Sequence, residues 1–309
     1  MLSHPVTLKQ LHYLLSLEEA GHFRIAAERA GVTEPSLSAQ IQNLELALGT
    51  TLVERRPRGA TLTVQGREVA SRARQVLNDV QSIIDVARMT GSSLSGTIRL
   101  GAKATLGPYL LPHVVADLHK SFPELKLYIR EAAPRELSSE LERGVHDLIL
   151  AQLPVSHSGF EVRRLFREPL WLAVASDHSF ARRDTVEVED LRGQDVLSVS
   201  PRYHLHDQVG QLCNEFGARL RQDYEGTSLD ALRQMVGMGM GITFLPAIYA
   251  QTEISPGSDV VARPIRNRQI LRSIALVWRA STPSDKAFDT IAKAIRSTAR
   301  RKFPHLIFD

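Results

Sequence analysis

The sequence predicts an α/β protein in two parts: a short helical N-terminal region with a basic hairpin, and a longer region of alternating strands and helices. Three observations carry this expectation. Apolar residues up to Leu48 recur at helical spacing in three short blocks. Val69, Ala73, Val76, Val80, Ile83 and Ala87 recur at alternating steps of four and three, a heptad seam on one long helix. Beyond residue 96, short strand-like runs alternate with helical ones.

The elements follow in order. Leu8, Leu11, Leu14, Leu15 and Leu17 define a first helix that Gly21 ends. Phe23–Ala30 is a second, with small Ala26 and Ala27 on one face, and Gly31-Val32-Thr33 is a tight turn. Pro35 suits the first turn of a third helix, whose stripe is Leu37, Ile41, Leu44 and Leu48. Two strand-like pieces between Leu52 and Thr63 flank a Pro/Gly turn carrying Arg55, Arg56 and Arg58, a basic hairpin or wing. The heptad helix follows, then a flexible linker, Gly91–Gly96.

In the second part, strands are expected at Thr97–Gly101, Leu125–Glu131, Asp147–Ala151, Leu170–Ala175, Val196–Val199, Ile242–Leu245 and Ile274–Trp278. Helices are expected at Tyr109–Ser121, Glu136–Arg143, Asp207–Phe216, Ser228–Val236 and Lys286–Lys302. Such alternation predicts mostly parallel sheets.

Composition bounds the function classes. A chain of 309 residues has room for about two domains, and 43% hydrophobic with 23% charged residues is ordinary for a globular protein. A net charge of +4 permits nucleic-acid binding without establishing it. The single cysteine, Cys213, excludes an intramolecular disulfide and suits a reducing cytosol. Neither a signal peptide nor a long apolar run is visible, so a cytoplasmic protein is expected.

Two short helices meeting at a glycine turn, with small Ala27 where they cross, describe a helix-turn-helix. The third helix presents Ser36, Ser38, Ala39, Gln40 and Asn43 away from its apolar stripe, side chains suited to base edges and phosphates. Arg55, Arg56 and Arg58 supply phosphate charge. A heptad seam that one helix cannot bury alone implies a dimer, which paired DNA half-sites require.

The order of these parts resembles the LysR-type transcriptional regulators. The resemblance rests on Leu8-Lys9-Gln10-Leu11, Phe23 to Ala30, Thr33-Glu34-Pro35-Ser36-Leu37-Ser38-Ala39-Gln40-Ile41, Leu44-Glu45, Leu48-Gly49 and Leu62-Thr63, and spans essentially the whole chain. It implies a winged helix-turn-helix over residues 1–64, a linker (dimerisation) helix over 65–92, and an effector-binding domain over 93–309. That last domain would resemble the two-lobed type 2 periplasmic binding proteins, lobe I being about 93–166 with 270–309 and lobe II about 167–269. The resemblance further implies double-stranded promoter DNA as partner, a homodimer or homotetramer (dimer of dimers), RNA polymerase as a further partner, and no membrane association. Thr33, Glu34, Pro35, Ser36, Ser38 and Gln40 would then face the major groove, with Arg55, Arg56 and Arg58 on phosphate or the minor groove.

Within the family, the sensor is most similar to the hydrogen-peroxide-responsive members. Gly107-Pro108-Tyr109-Leu110-Leu111-Pro112-His113, Leu205 with Asp207-Gln208, Thr227-Ser228-Leu229, Leu232-Arg233, Gly241-Ile242-Thr243 and Leu245-Pro246-Ala247 carry that similarity. Those members attack peroxide with one cysteine and close a disulfide with a second. Here His204 stands at the reactive position and Cys213 at the second, while Pro134 replaces a threonine that commonly assists and Thr105 is kept. Imidazole cannot form the sulfenic acid that begins that cycle.

The similarity leaves a pocket lined by Thr105, His204, Thr227 and Ser228 for a non-covalent small-molecule effector, or a constitutively active regulator. Three other readings stand beside it. Cys213 alone acts as a redox sensor, or is a small buried hydrophobe. His204, His206 and Asp207 hold a metal with a further ligand, or are a pocket residue beside a solvated helix start. The protein is a ligand-binding enzyme on a periplasmic-binding-like scaffold, although no nucleophile with a base is evident. The expectation is a regulator that is not an enzyme and carries neither cofactor nor metal. Gly237-Met238-Gly239-Met240-Gly241 follows a helix and precedes a strand, the reverse of a dinucleotide loop, and is expected to be a helix stop and turn.

Overall fold

The computed structural model describes residues 5–56, 59–88, 94, 96–155, 159–224, 226, 228–282 and 285–308. It comprises two compact units, residues 1–93 with 142–145, and residues 94–141 with 146–309.

In the first unit, α1 (Leu8–Ala20) begins with a capping box. The Thr7 hydroxyl accepts from the Gln10 amide at 3.3 Å, and the Gln10 side chain accepts from the Thr7 amide at 2.9 Å. Gly21, at φ 66°, ends it in the left-handed region. α2 (Phe23–Arg29) and α3 (Glu34–Leu48) follow, with Pro35 in the first turn of α3 as expected. Leu14, Leu17, Ala26, Ala27, Leu37 and Ile41 close their shared core. Ala27 is 2% exposed, so the predicted need for a small residue there is met by close packing.

β1 (Val53–Arg56) and β2 (Gly59–Leu62) form the expected antiparallel hairpin, Val53 opposite Leu62 and Arg56 opposite Gly59. The Glu45 carboxylate accepts from the Leu52 and Val53 amides at 2.8 and 3.0 Å, fastening the hairpin to α3. Gly59 admits no side chain: a Cβ there would lie 2.6 Å from the Gly21 carbonyl oxygen. Arg58, one of the predicted DNA contacts, lies outside the described residues.

α4 (Val64–Arg88) is the long helix, 25 residues. Its seam is not uniform. Val69 packs against the N-terminal core and Ala73 is buried, whereas Val76 and Ile83 are exposed, Ile83 by 67%. The Ala87 side chain lies outside the described residues.

The second unit contains β3 (Gly96–Ala102), α5 (Gly107–Ser121), β4 (Leu125–Glu131), α6 (Pro134–Glu142), β5 (Leu148–Gln152) and β6 (Phe160–Ala175). β7 (Asp195–Val196), α7 (His204–Phe216), β8 (Arg219–Leu220), α8 (Leu229–Gly237), β9 (Thr243–Pro246), α9 (Ala247–Glu253), β10 (Val260–Arg263), β11 (Leu271–Arg279) and α10 (Asp285–Lys302) complete it. The main sheet runs β10-β6-β11-β5-β3-β4, with β9 also paired to β6.

This sheet is mixed, not mostly parallel. β3 pairs in parallel with β4 and β5, whereas β11, β10 and β9 all pair antiparallel. Hydrophobic alternation locates strands but carries no information on their direction. β6 also starts ten residues earlier than expected, because Arg163, Arg164 and Arg167 disguise its first half as a loop.

That long strand organises the unit. Leu165 and Phe166 join an apolar core with Leu100, Leu110, Leu148 and Ile274, while Leu170 and Leu172 join a second core with Val196, Leu205, Val209 and Phe244. On the opposite face of the first core's sheet, α6 lays Leu137 and Leu141 over Ile149 and Ala275. The Gly237–Gly241 segment is a helix end and turn leading into β9, as expected. No helix among the described residues is long and apolar enough to cross a membrane.

Candidate functional site

Two polar features stand out, one in each unit. In the first, Thr33, Glu34, Pro35 and Ser36 are exposed at the start of α3, and Ser38 and Gln40 are half-buried one turn further along. The Ser38 hydroxyl accepts from the Arg55 guanidinium at 2.8 Å. That guanidinium also lies 4.5 Å over the Phe23 ring, so β1, α2 and α3 together fix its direction. Glu34 and Arg56 line one shallow depression with His22 and Arg24. Arg56 also pairs with Glu54 at 3.0 Å, both side chains being exposed. Arg24, on α2, was not singled out from sequence. Its signal is a cation at the first turn of the helix preceding the exposed one.

In the second unit a cavity of about 320 Å³ opens between β3, α6, β5 and the start of α7. Lys103, Arg135, Ser138, Gln152 and His204 supply its polar lining, and Leu137, Ile149 and Val155 form an apolar wall. The Lys103 side chain is buried and donates to the Gln152 carbonyl oxygen at 3.1 Å. The Gln152 amide in turn donates to Gln208 at 3.3 Å. Burial, reinforced by nearby Arg272 and partly opposed by Glu168, pulls the Lys103 amine down to about 7. Desolvation likewise lowers His204, with Lys103 adding to the effect. The His204 Nδ1 is buried and has no hydrogen-bond partner among the described residues.

Behind the cavity lies a closed ion pair. Arg272 meets Glu168 at 2.7 Å with both side chains fully buried. Arg272 also donates to the Thr105 hydroxyl and carbonyl, each at 3.1 Å, and Glu168 accepts from the Ile248 amide at 2.9 Å. Every charge there has a partner.

Of the four residues expected to line an effector pocket, His204 lines this cavity. Thr105 faces Arg272 from a buried position. Ser228 caps α8, its hydroxyl accepting from the Ala231 amide at 3.1 Å. Thr227 lies outside the described residues. His206 Nδ1 bonds the Val199 carbonyl at 2.8 Å, and no metal-holding group of three His, Cys, Asp or Glu residues occurs among the described residues. Cys213 is 2% exposed within the second apolar core, and burial pushes its thiol up to about 11. Lys103, Arg135 and Gln152 escaped the sequence reading, because they line the cavity with His204 from positions about 50 to 100 residues earlier in the chain.

A winged helix-turn-helix followed by a long helix and an α/β domain with two apolar cores defines a class of bacterial DNA-binding regulator. The chain matches the Bacterial regulatory helix-turn-helix protein, lysR family, over residues 8–67, and the LysR substrate binding domain over residues 91–300. It belongs to the LysR family of transcriptional regulators. It is 37% identical over 292 residues to the DNA-binding transcriptional dual regulator OxyR of Escherichia coli K12, covering 94% of this chain and 95% of that one. It is 32% identical over 292 residues to the HTH-type transcriptional regulator EstR of Acinetobacter baylyi, covering 94% and 96%. Among solved structures, full-length OxyR of Pseudomonas aeruginosa with a cysteine-to-aspartate substitution is similar at TM-score 0.77 and 31% identity, covering 94% of this chain and 97% of that one. A hydrogen-peroxide-bound cysteine-to-serine variant of Corynebacterium glutamicum OxyR is similar at TM-score 0.67 and 28% identity, covering 96% and 93%. This chain is a LysR-family regulator of OxyR-like architecture.

Proposed function

We propose that this regulator is switched by a non-covalent small-molecule effector in the His204 cavity, or held constitutively active, and not by a two-cysteine peroxide disulfide. One observation carries the reading: the only cysteine is buried in an apolar core with a raised pKa, while the position of the reactive cysteine in the resemblance is His204, on a cavity wall. A thiol held neutral is a poor nucleophile toward peroxide. The same burial disfavours Cys213 acting alone. No serine or cysteine among the described lining residues is hydrogen-bonded to a base, so we read the cavity as a binding site and not as an active centre.

The DNA-reading residues are Thr33, Glu34, Pro35, Ser36, Ser38 and Gln40, with Arg55, Arg56 and Arg58 on phosphate or the minor groove and Arg24 added by its place beside Glu34. Residues 1–64 read DNA, 65–92 dimerise, and 93–309 receive the signal. Exposed Val76 and Ile83 on α4 support a second copy packing there, within a cytoplasmic homodimer or homotetramer on promoter DNA.

The experiment is promoter binding and reporter output for the wild type, Cys213→Ser and His204→Ala, with and without peroxide. We expect no peroxide response in the wild type or Cys213→Ser, and an altered output in His204→Ala. A wild-type peroxide response that Cys213→Ser abolishes would overturn the reading.

A further inference from the structure

The cavity's charge is unbalanced in a way that names its ligand. None of its described lining residues is acidic, yet buried Lys103, half-buried His204 and exposed Arg135 all line it. Lys103 is 1% exposed, and the partner of its amine is the neutral amide oxygen of Gln152. The nearest buried carboxylate, Glu168, is already engaged by Arg272 and the Ile248 amide. A buried ammonium without a counter-anion is costly, so in the empty cavity Lys103 sheds its proton near pH 7; the exposed carboxylate of Asp207 acts on His204, and only an added anion would restore the charge on Lys103. The His204 Nδ1 is a second unsatisfied group, buried beside the first. α7 begins at His204 with no side-chain cap, which sets the positive end of a 13-residue helix at the cavity rim. Across from these groups the wall is apolar: Leu137, Ile149 and Val155.

Resting on the reading of this cavity as the effector site, we propose that it takes a small monocarboxylate with a compact apolar body. The carboxylate is held by Lys103 and His204, and the body lies against Leu137, Ile149 and Val155. A single negative charge completes the balance, and the size and apolar wall fit a ring or short chain better than a compact inorganic oxyanion. Lys103, largely deprotonated above pH 7 when the cavity is empty, gains a proton as the carboxylate arrives, so binding is coupled to proton uptake.

The test is titration calorimetry of the full-length protein with benzoate, hexanoate, benzamide and inorganic phosphate, in buffers of different ionisation enthalpy. We expect benzoate or hexanoate to bind with Kd below about 1 mM, to take up protons at pH 8, and to weaken by nearly tenfold per pH unit above that. Benzamide and phosphate should bind at least about tenfold more weakly, and Lys103→Met, folded by circular dichroism, should lose carboxylate binding by about 30-fold or more. Benzamide binding as tightly as benzoate, phosphate outcompeting both carboxylates, carboxylate binding that survives Lys103→Met, or no binding by either carboxylate would each overturn the proposal. Benzamide binding that His204→Ala abolishes would overturn the carboxylate while keeping the effector site. Failure of every probe together with a His204→Ala output equal to wild type would overturn both.

Discussion

At the start of α3 the polar side chains stand in solvent, whereas at and behind the His204 cavity Lys103, Glu168 and Arg272 lie inside the protein. Glu34 and Ser36 are exposed and Ser38 is half-buried, while Lys103, Glu168 and Arg272 are buried. Exposed polar groups cost the fold little, because water satisfies them when no ligand is present. Buried charges must be balanced within the protein or by a ligand. The two regions therefore divide stability from function differently. Changes on α3 should alter binding at constant stability, and changes at the cavity should alter both together.

The sharpest test of this contrast is Arg272→Met. It leaves the Glu168 carboxylate buried without its cation and removes two donors from Thr105, so a loss of about 3–5 kcal/mol is expected. Chemical denaturation measures it. A loss under about 1 kcal/mol would show that solvent reaches this pair and that the contrast is false.

Lys103→Met should act in the opposite direction, stabilising the protein by about 2–4 kcal/mol at pH 7. The sign follows from the lowered pKa. Between about 7 and the ordinary lysine value the unfolded chain binds more protons than the folded one, so wild-type stability rises with pH across that window. The advantage of Lys103→Met should consequently shrink toward pH 10. An advantage independent of pH would show that the amine is not desolvated.

On α3, Gln40→Ala should weaken operator binding by about 1–3 kcal/mol and leave the thermal midpoint within a degree or two. Fluorescence anisotropy beside a melting curve separates the two. If the midpoint falls along with affinity, α3 is not a free reading face. Arg56→Ala should have the smallest effect. It should lower the salt dependence of DNA binding by a slope of about one, almost equally for operator and non-specific DNA, since a phosphate contact carries no sequence information.

Legibility followed the same division. The exposed helix α3 was readable because its determinants are local: Gly31 permits the turn, Pro35 starts the helix, and Leu37, Ile41 and Leu44 point one face inward and leave the other outward. Spacing along one helix is enough to place Ser36 and Gln40. The cavity was readable only at His204, through its neighbours in a family pattern. Nothing near Lys103 in the chain indicates Gln152, and nothing near Thr105 indicates Arg272, which lies 167 residues away.

The sequence by itself therefore determined the elements and their order: three short helices, a hairpin held by glycine, a long helix and an alternating α/β domain. Propensity, capping and hydrophobic period act over a few residues, and those are properties of a linear chain. Tertiary structure alone decided the strand directions, the passage of β6 through two cores, and the burial of the Lys103 amine. Strand pairing and desolvation depend on which distant segments meet, and it is burial by those segments that turns an ordinary surface lysine into a group in need of an anion.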